Sequence, residues 1–70
     1  MTYYRQCELQ KETTFEVAWV PEHLAVQGKY VRFGEDNGWE VRSAGKLRIS
    51  EDYVLERERD HLHQRRASDI

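Results

Sequence analysis

The chain has 70 residues, of which 39% are hydrophobic, with a single cysteine and a formal net charge of −2 at pH 7. This length allows one small domain, one cysteine excludes an intrachain disulfide, and the nearly neutral charge favours no class of partner. No apolar run approaches the roughly 20 residues of a membrane span, and no signal peptide is visible. We therefore expect a soluble cytoplasmic domain in which Cys7 is a buried strand residue.

The first two predicted elements are strands that form a hairpin. Residues 3–10 and 14–20 alternate apolar with polar side chains, and residues 11–13 form a polar turn between them. The side chains on the apolar face of this pair are Tyr3, Cys7, Leu9, Phe15, Val17 and Trp19. Trp19 and Trp39 both fall on the inner phase of their strands, so we interpret them as core residues.

Pro21 ends the second strand, because it lacks the N–H group that a central ladder requires. Residues 21–25 then have the pattern of a single helical turn with proline near its start. Leu24 and Val26 can close one end of the sheet before Gly28 turns the chain.

A second hairpin between Tyr30 and Arg42 is the clearest local pattern in the chain. Two alternating runs flank a loop that contains Asn37-Gly38, a dipeptide typical of hairpins. The residues predicted to face inward are Val31, Phe33, Trp39 and Val41, and those facing outward are Tyr30, Arg32, Glu40 and Arg42. Residues 44–46 are predicted to turn again, before a short fifth strand with Leu47 and Ile49 on its inner face.

The remaining chain is predicted to form a helix from about Glu51 to Arg66. Ser50 is a favourable N-cap, and acidic residues follow it while arginines lie near the end. A strand over residues 53–59 is the alternative, because that segment opens with β-favouring side chains. The second half of the helix offers only Leu62 as an apolar residue, so it either frays or packs against a second copy or another protein.

These elements predict an α+β domain over residues 1–70. A strongly bent antiparallel sheet of four or five strands, with a Src-homology-3-like barrel as one form, occupies residues 1–49. The helix occupies residues 50–66, and residues 67–70 are a tail. The predicted core consists of Cys7, Leu9, Phe15, Val17, Trp19, Leu24, Val31, Phe33, Trp39, Val41, Leu47, Ile49, Val54 and Leu55.

Catalytic chemistry is not predicted. The chain has no nucleophile elbow, P-loop, dinucleotide-binding fingerprint or paired carboxylates. His61 and His63 point about 200° apart on a helix, and on a strand they share a face without a third ligand at metal-site spacing. We expect no catalytic residue, no cofactor and no metal site.

Nucleic-acid binding is the weaker of two functional hypotheses. Small barrels bind single strands through basic grooves and stacking aromatic side chains. The candidate residues on the outer face of the central hairpin and beside it are Tyr30, Arg32, Arg42, Lys46 and Arg48. Glu40 lies within this patch, and the whole chain is slightly acidic, whereas nucleic-acid-binding domains carry a basic footprint.

A protein-interaction module is the stronger hypothesis. A thin core favours association, because partner binding stabilises the folded state. Aromatic residues and arginines are common interface anchors, and the weakly amphipathic helix carries both. The interface candidates are Tyr53, Arg57, Arg59, Leu62, Arg65 and Arg66, with self-association as one expected outcome.

The segments Trp19-Val20-Pro21-Glu22 and Ala67-Ser68-Asp69-Ile70 are distinctive, and Gly38-Trp39-Glu40-Val41 belongs to the same pattern. Through these segments the chain resembles small proteins of unassigned role encoded by tailed bacteriophages or prophages, and the resemblance extends over nearly the whole chain. It implies a phage origin and a setting in the bacterial cytoplasm, but no catalytic or binding residue. Together with the interface candidates, it leads us to expect a non-enzymatic adaptor or inhibitor that binds a host or phage protein.

Overall fold

The computed structural model describes residues 2–59 and 66–69, which form a nearly closed antiparallel barrel with one short helix. Its elements are β1 (Tyr3–Lys11), β2 (Thr14–Pro21), a 3-10 turn (Glu22–Leu24), β3 (Tyr30–Phe33), β4 (Asp36–Ser50), α1 (Glu51–Arg59) and β5 (Ala67–Ser68). The described strands form one sheet in the order β2-β1-β4-β3-β5, and a parallel bridge between Trp19 and Arg66 brings the two ends together. The predicted bent antiparallel sheet is confirmed, but the domain is mostly β, so the class α+β describes it only loosely.

The barrel interior is filled by apolar side chains that range from alanine to tryptophan in size. They are Cys7, Leu9, Ala18, Val20, Leu24, Ala25, Val31, Phe33, Trp39, Val41 and Ala67. Phe33 and Trp39 meet edge to face, with 5.5 Å between their ring centroids. The inward phase predicted for both halves of the central hairpin is confirmed, because all four of its apolar side chains are buried.

A second apolar cluster lies on the outer face of the sheet, beneath α1. Val54 of the helix is fully buried against Tyr4 and Trp19, and the half-buried Ile49 packs beside them. The Ser50 hydroxyl accepts a hydrogen bond from the backbone N–H of Tyr53 at 3.3 Å, which is the predicted N-cap. Helix rather than strand is therefore correct for Glu51–Arg59.

The predicted phase of β2 is wrong. Phe15, Val17 and Trp19 face outward, and Ala18 and Val20 enter the barrel instead. The register explains this arrangement, because Ala18 lies opposite the buried Cys7 while Trp19 lies opposite the exposed Gln6. Ala18 and Val20 pack inside the barrel, and the Trp19 indole packs under α1 against Tyr4 and Val54.

The turn predicted at residues 44–46 is also wrong, because β4 continues through it as one bent strand. Between Arg5 and Cys7, β1 advances two residues while β4 advances four, so the extra residues of β4 form a bulge. Gly45 permits this close approach, since a Cβ atom there would lie 2.7 Å from the carbonyl oxygen of Gln6. Leu47 is consequently 75% exposed, and Ile49 joins the outer cluster rather than the barrel interior.

The second hairpin turns earlier than its sequence pattern indicates. Phe33 pairs with Asp36, so Gly34 and Glu35 form a two-residue turn, with φ +65° at Gly34. Asn37 and Gly38 instead belong to β4, where the ladder shifts register and Gly38 has φ +83°. Glycine with a positive φ suits both a turn and a bulge, so Asn37-Gly38 alone does not show which of the two it forms.

The C-terminal prediction holds only in part. Ala67 and Ser68 pair with β3 as β5, rather than forming a tail, and Arg66 bridges to β2 rather than ending a helix. The predicted helical residues Leu62 and Arg65, like His61 and His63, lie outside the described residues.

Candidate functional site

Phe15, Val17 and Trp19 follow one another along the outer face of β2, and we name these three residues the β2 stripe. α1 covers Trp19 but leaves Phe15 56% and Val17 45% exposed. Tyr53 of α1 meets the Trp19 ring edge-on, with 6.3 Å between the centroids, and is itself 38% exposed. The stripe and Tyr53 therefore form one apolar surface from the β1–β2 turn to the helix.

This surface borders an open strand edge. β2 is a terminal strand of the sheet, and on the side away from β1 it bridges only at Trp19 to Arg66. Across residues 2–59 and 66–69, no strand pairs with the outer edge of residues 14–17. Unpaired backbone groups on such an edge can form a ladder with another chain.

Carboxylates surround the exposed part of the stripe. Glu8 lies directly opposite Val17 on β1, Glu16 lies between the two exposed stripe residues, and Glu12 lies in the adjoining turn. Among the described residues, none of these three carboxylates has a cationic partner. The apolar surface is therefore flanked by uncompensated negative charge.

The structure places the predicted interface residues in different situations. Tyr53 adjoins the β2 stripe, and Arg66 donates a hydrogen bond from Nη1 to the Tyr4 hydroxyl at 3.4 Å. Arg57 and Arg59 belong to the last turn of α1, but their side chains are outside the described part. Leu62 and Arg65 also lie outside it.

Sequence reasoning missed Phe15 and Val17 as surface residues because it assigned them to the core. One pattern could have indicated the alternative, since Ala18 and Val20 supply apolar side chains on the opposite phase of the same strand. When both faces of a strand carry apolar residues, either face can be turned toward the core. The position of the helix over Trp19 selects between them here.

The predicted nucleic-acid residues do not form one continuous patch. Tyr30, which is 57% exposed, and Arg32 lie on the outer face of β3. Arg42 pairs with Glu40 at 3.2 Å. Farther along β4, Lys46 is exposed just after the bulge, and Arg48 forms an ion pair with Glu22.

Arg48 belongs to an ion-pair network at one end of the barrel. Its Nε donates to Glu22 Oε2 at 3.0 Å, and its guanidinium lies 4.0 Å from the centroid of the Tyr3 ring. Arg5 also reaches Glu22, at 3.3 Å, and donates to the carbonyl oxygens of Gly45 at 3.0 Å and Lys46 at 2.7 Å. These contacts hold the bulge and the 3-10 turn together, so we assign the network a structural role.

A cleft of about 400 Å³ separates the 3-10 turn from β5. His23 and Asp69 lie 3.8 Å apart at its rim, and both side chains are largely exposed. The described residues contain no buried charged side chain and no cluster of three potential metal ligands. The cleft is also lined by the buried Tyr4, whose hydroxyl accepts a hydrogen bond from Arg66.

Cys7 is the single cysteine, and it lies inside the barrel. Burial raises the pKa of its thiol above the usual range, which more than offsets the opposing effects of a hydrogen bond to the backbone of Gly45 and of the nearby Arg5 charge. The protonated thiol is a poor nucleophile. Cys7 thus acts as a small apolar side chain, as the sequence predicts.

Comparison with protein-family models, with curated protein sequences and with solved structures finds no match. In the described part of the chain, the helix is too short and too polar to cross a lipid bilayer.

Proposed function

We propose that this protein is a non-enzymatic protein-interaction module, and that it acts as an adaptor or inhibitor through the β2 stripe and Tyr53. The observation that carries the proposal is the exposure of Phe15 and Val17 beside an open strand edge. Apolar side chains that are contiguous on a regular surface are typical of protein–protein contact sites. Tyr53 adds an aromatic anchor to the same surface.

The resemblance to small phage-encoded proteins supports a partner from the bacterial host or from the phage itself, in the host cytoplasm. Self-association through the same apolar surface is a second expected state. The raised pKa of the Cys7 thiol supports a non-enzymatic role for the one cysteine. The finer assignment of a Src-homology-3-like barrel remains a prediction.

The test is affinity purification of the tagged protein from bacterial lysate after nuclease treatment, with wild type and a Phe15→Ser/Val17→Thr double variant compared. Both substitutions replace an apolar side chain with a hydroxyl-bearing one at an exposed strand position, and both remove exposed apolar area. The matched control is Leu47→Ser, because Leu47 is an even more exposed apolar residue on another strand.

We expect wild type and Leu47→Ser to retain the same stoichiometric protein, and the double variant to lose it. Equal recovery by all three proteins would contradict the proposal, and so would loss caused by Leu47→Ser alone. Circular dichroism of each variant checks that the barrel is folded.

Binding of single-stranded nucleic acid is the second candidate function. It is favoured by the exposure of Tyr30 next to Arg32 on the outer face of β3, where Arg32 has no ion pair among the described residues. The hypothesis predicts affinity for an oligonucleotide that falls steeply with salt. An Arg32→Glu/Arg42→Glu variant that keeps full affinity for the oligonucleotide contradicts it.

A further inference from the structure

The charge around the β2 stripe differs from the charge elsewhere on the barrel. Glu8, Glu12 and Glu16 border the exposed stripe residues and lack cationic partners within the described residues. The described cations without an ion pair include Arg32 and Lys46, which lie on β3 and β4. The apolar surface and the open edge of residues 14–17 therefore have an acidic border.

We propose that the edge of residues 14–17 binds an extended basic segment of a partner protein as an added β-strand. This inference rests on the proposed function and specifies the chemistry of the partner. Backbone hydrogen bonds to the open edge supply affinity, and alternate side chains supply specificity. Apolar side chains of the segment cover Phe15 and Val17, while its lysines or arginines lie on the other face of the ladder, near Glu16.

The alternation of β2 makes this pairing specific. Phe15 and Val17 lie on the outer face, and Glu16 lies between them on the opposite face at the strand edge. A segment that alternates apolar with basic residues matches both faces at once, because neighbouring side chains of a strand point to opposite sides. An acidic segment of the same pattern places its carboxylates beside Glu16, and like charges on neighbouring strands are destabilising.

A second copy of this chain fits the edge less well. Two β2 edges in antiparallel symmetry can align Phe15 with Val17, and this register places Glu16 directly opposite Glu16. One of the other same-face registers aligns Phe15 with Phe15, but it pairs Val17 with the turn residue Thr13 and shortens the ladder. The other aligns Val17 with Val17 and Phe15 with Trp19, whose outer edge already bridges to Arg66. Like charges directly opposite one another are destabilising, so the charge pattern favours a basic partner over a symmetric dimer.

The experiment measures binding of a fluorescent peptide of about seven residues that alternates lysine with valine, a typical strand length. The protein is the full chain at 150 mM salt, and fluorescence anisotropy reports the affinity. One comparison peptide has glutamate in place of lysine, and another has the basic sequence with alternate backbone amides N-methylated. We expect the basic peptide alone to bind, because the methylated peptide cannot complete the ladder.

Single-residue variants locate the site. Glu16→Lys should weaken binding of the basic peptide about tenfold, because a favourable contact becomes a repulsive one. Glu35→Lys is the matched control for net charge, since Glu35 lies in the β3–β4 turn on the surface. We expect the control to bind within about twofold of wild type. At this salt concentration, screening weakens the interaction between exposed charges that are more than about 8 Å apart.

The proposal is overturned by equal binding of the acidic peptide, by equal binding of the methylated peptide, or by an unchanged affinity in Glu16→Lys. A wild-type dimer in sedimentation analysis that Phe15→Ser converts to monomer also overturns it, in favour of a second copy. If the purification partner is lost in Phe15→Ser/Val17→Thr but retained in Glu16→Lys, the interaction module stands and the basic-segment inference fails. Retention in all variants means that both fail.

Discussion

Replacement of Gly45 by alanine tests the closest backbone approach in the barrel. A Cβ atom on residue 45 would lie 2.7 Å from the carbonyl oxygen of Gln6, whereas carbon–oxygen contacts between strands are usually about 3.3–3.6 Å. Gln6 cannot move away easily, because its neighbours Arg5 and Cys7 pair with β4 on one side and with β2 on the other. The alanine variant must therefore displace one of the two strands.

Two opposing effects set the magnitude. Overpacking in a well-packed region costs about 1–3 kcal/mol, whereas replacing glycine reduces the entropy of the unfolded chain and contributes about 0.4–1 kcal/mol of stability. Displacement also lengthens the bonds from Arg5 to the carbonyl oxygens of Gly45 and Lys46. We expect a net loss of about 1–3 kcal/mol, which in a domain of this size lowers Tm by about 4–8 °C for each kcal/mol.

The assay is urea unfolding followed by tryptophan fluorescence, with the slope and the midpoint both compared with wild type. Arg5→Met in both backgrounds completes a double-mutant cycle. If the alanine displaces the bulge, Arg5→Met should cost less in the Gly45→Ala protein than in wild type, because the bonds from Arg5 are already weakened. A Gly45→Ala protein as stable as wild type, with an unchanged slope, would refute the close approach of β1 and β4.

Three further predictions concern other parts of the barrel. Glu12→Gly should stabilise the fold by about 0.5–1 kcal/mol, because Glu12 has φ +56° in the β1–β2 turn. A non-glycine residue in this left-handed conformation costs about 1–2 kcal/mol, and the larger conformational entropy of glycine in the unfolded chain offsets only part of that gain. Unchanged or lower stability in urea unfolding contradicts the prediction. Val54→Ala should cost about 1.5–2.5 kcal/mol of stability, since Val54 is fully buried between α1 and the sheet. Leu55→Ala should cost less, because Leu55 is half-buried. Equal losses contradict the orientation of the helix. Stability should fall as pH rises above about 9, because the pKa of Cys7 is raised in the folded state, so the unfolded chain loses its thiol proton at a lower pH than the folded protein does. Cys7→Ala should remove this component of the pH dependence. A pH profile identical to that of wild type contradicts the prediction.

The sequence predicts local structure here better than it predicts which face of a strand is buried. Alternation in the second hairpin and the N-cap at Ser50 are local features, and both are confirmed. Phe15 and Val17 were assigned to the wrong face because β2 has apolar residues on both phases. The choice depends on the register with β1 and on the helix over Trp19, and both are long-range contacts.

Glycine accounts for two further errors, since one residue type serves different backbone tasks. Gly45 was interpreted as a turn residue, but it permits close approach of two strands, and Gly38 lies in a bulge rather than a hairpin loop. No neighbouring residue distinguishes these tasks. For the candidate site, Tyr53 was predicted from its place on the helix, whereas Phe15 and Val17 became visible only once the phase of β2 was known.

The ladder between β1 and β4 also constrains how the chain folds. Tyr3 pairs with Ser50, so nearly the whole barrel sequence lies between the two strands, while each hairpin joins residues that are close in the chain. Closing a long loop has a higher entropic cost than closing a hairpin, and folds rich in such distant pairings form slowly. Each hairpin can therefore form early, but the β1–β4 ladder cannot be completed during synthesis until Ser50 has left the ribosome, and the bridge from Trp19 to Arg66 forms later still. Until then β1 is an unpaired edge, and the nascent hairpin is exposed to pairing with other chains.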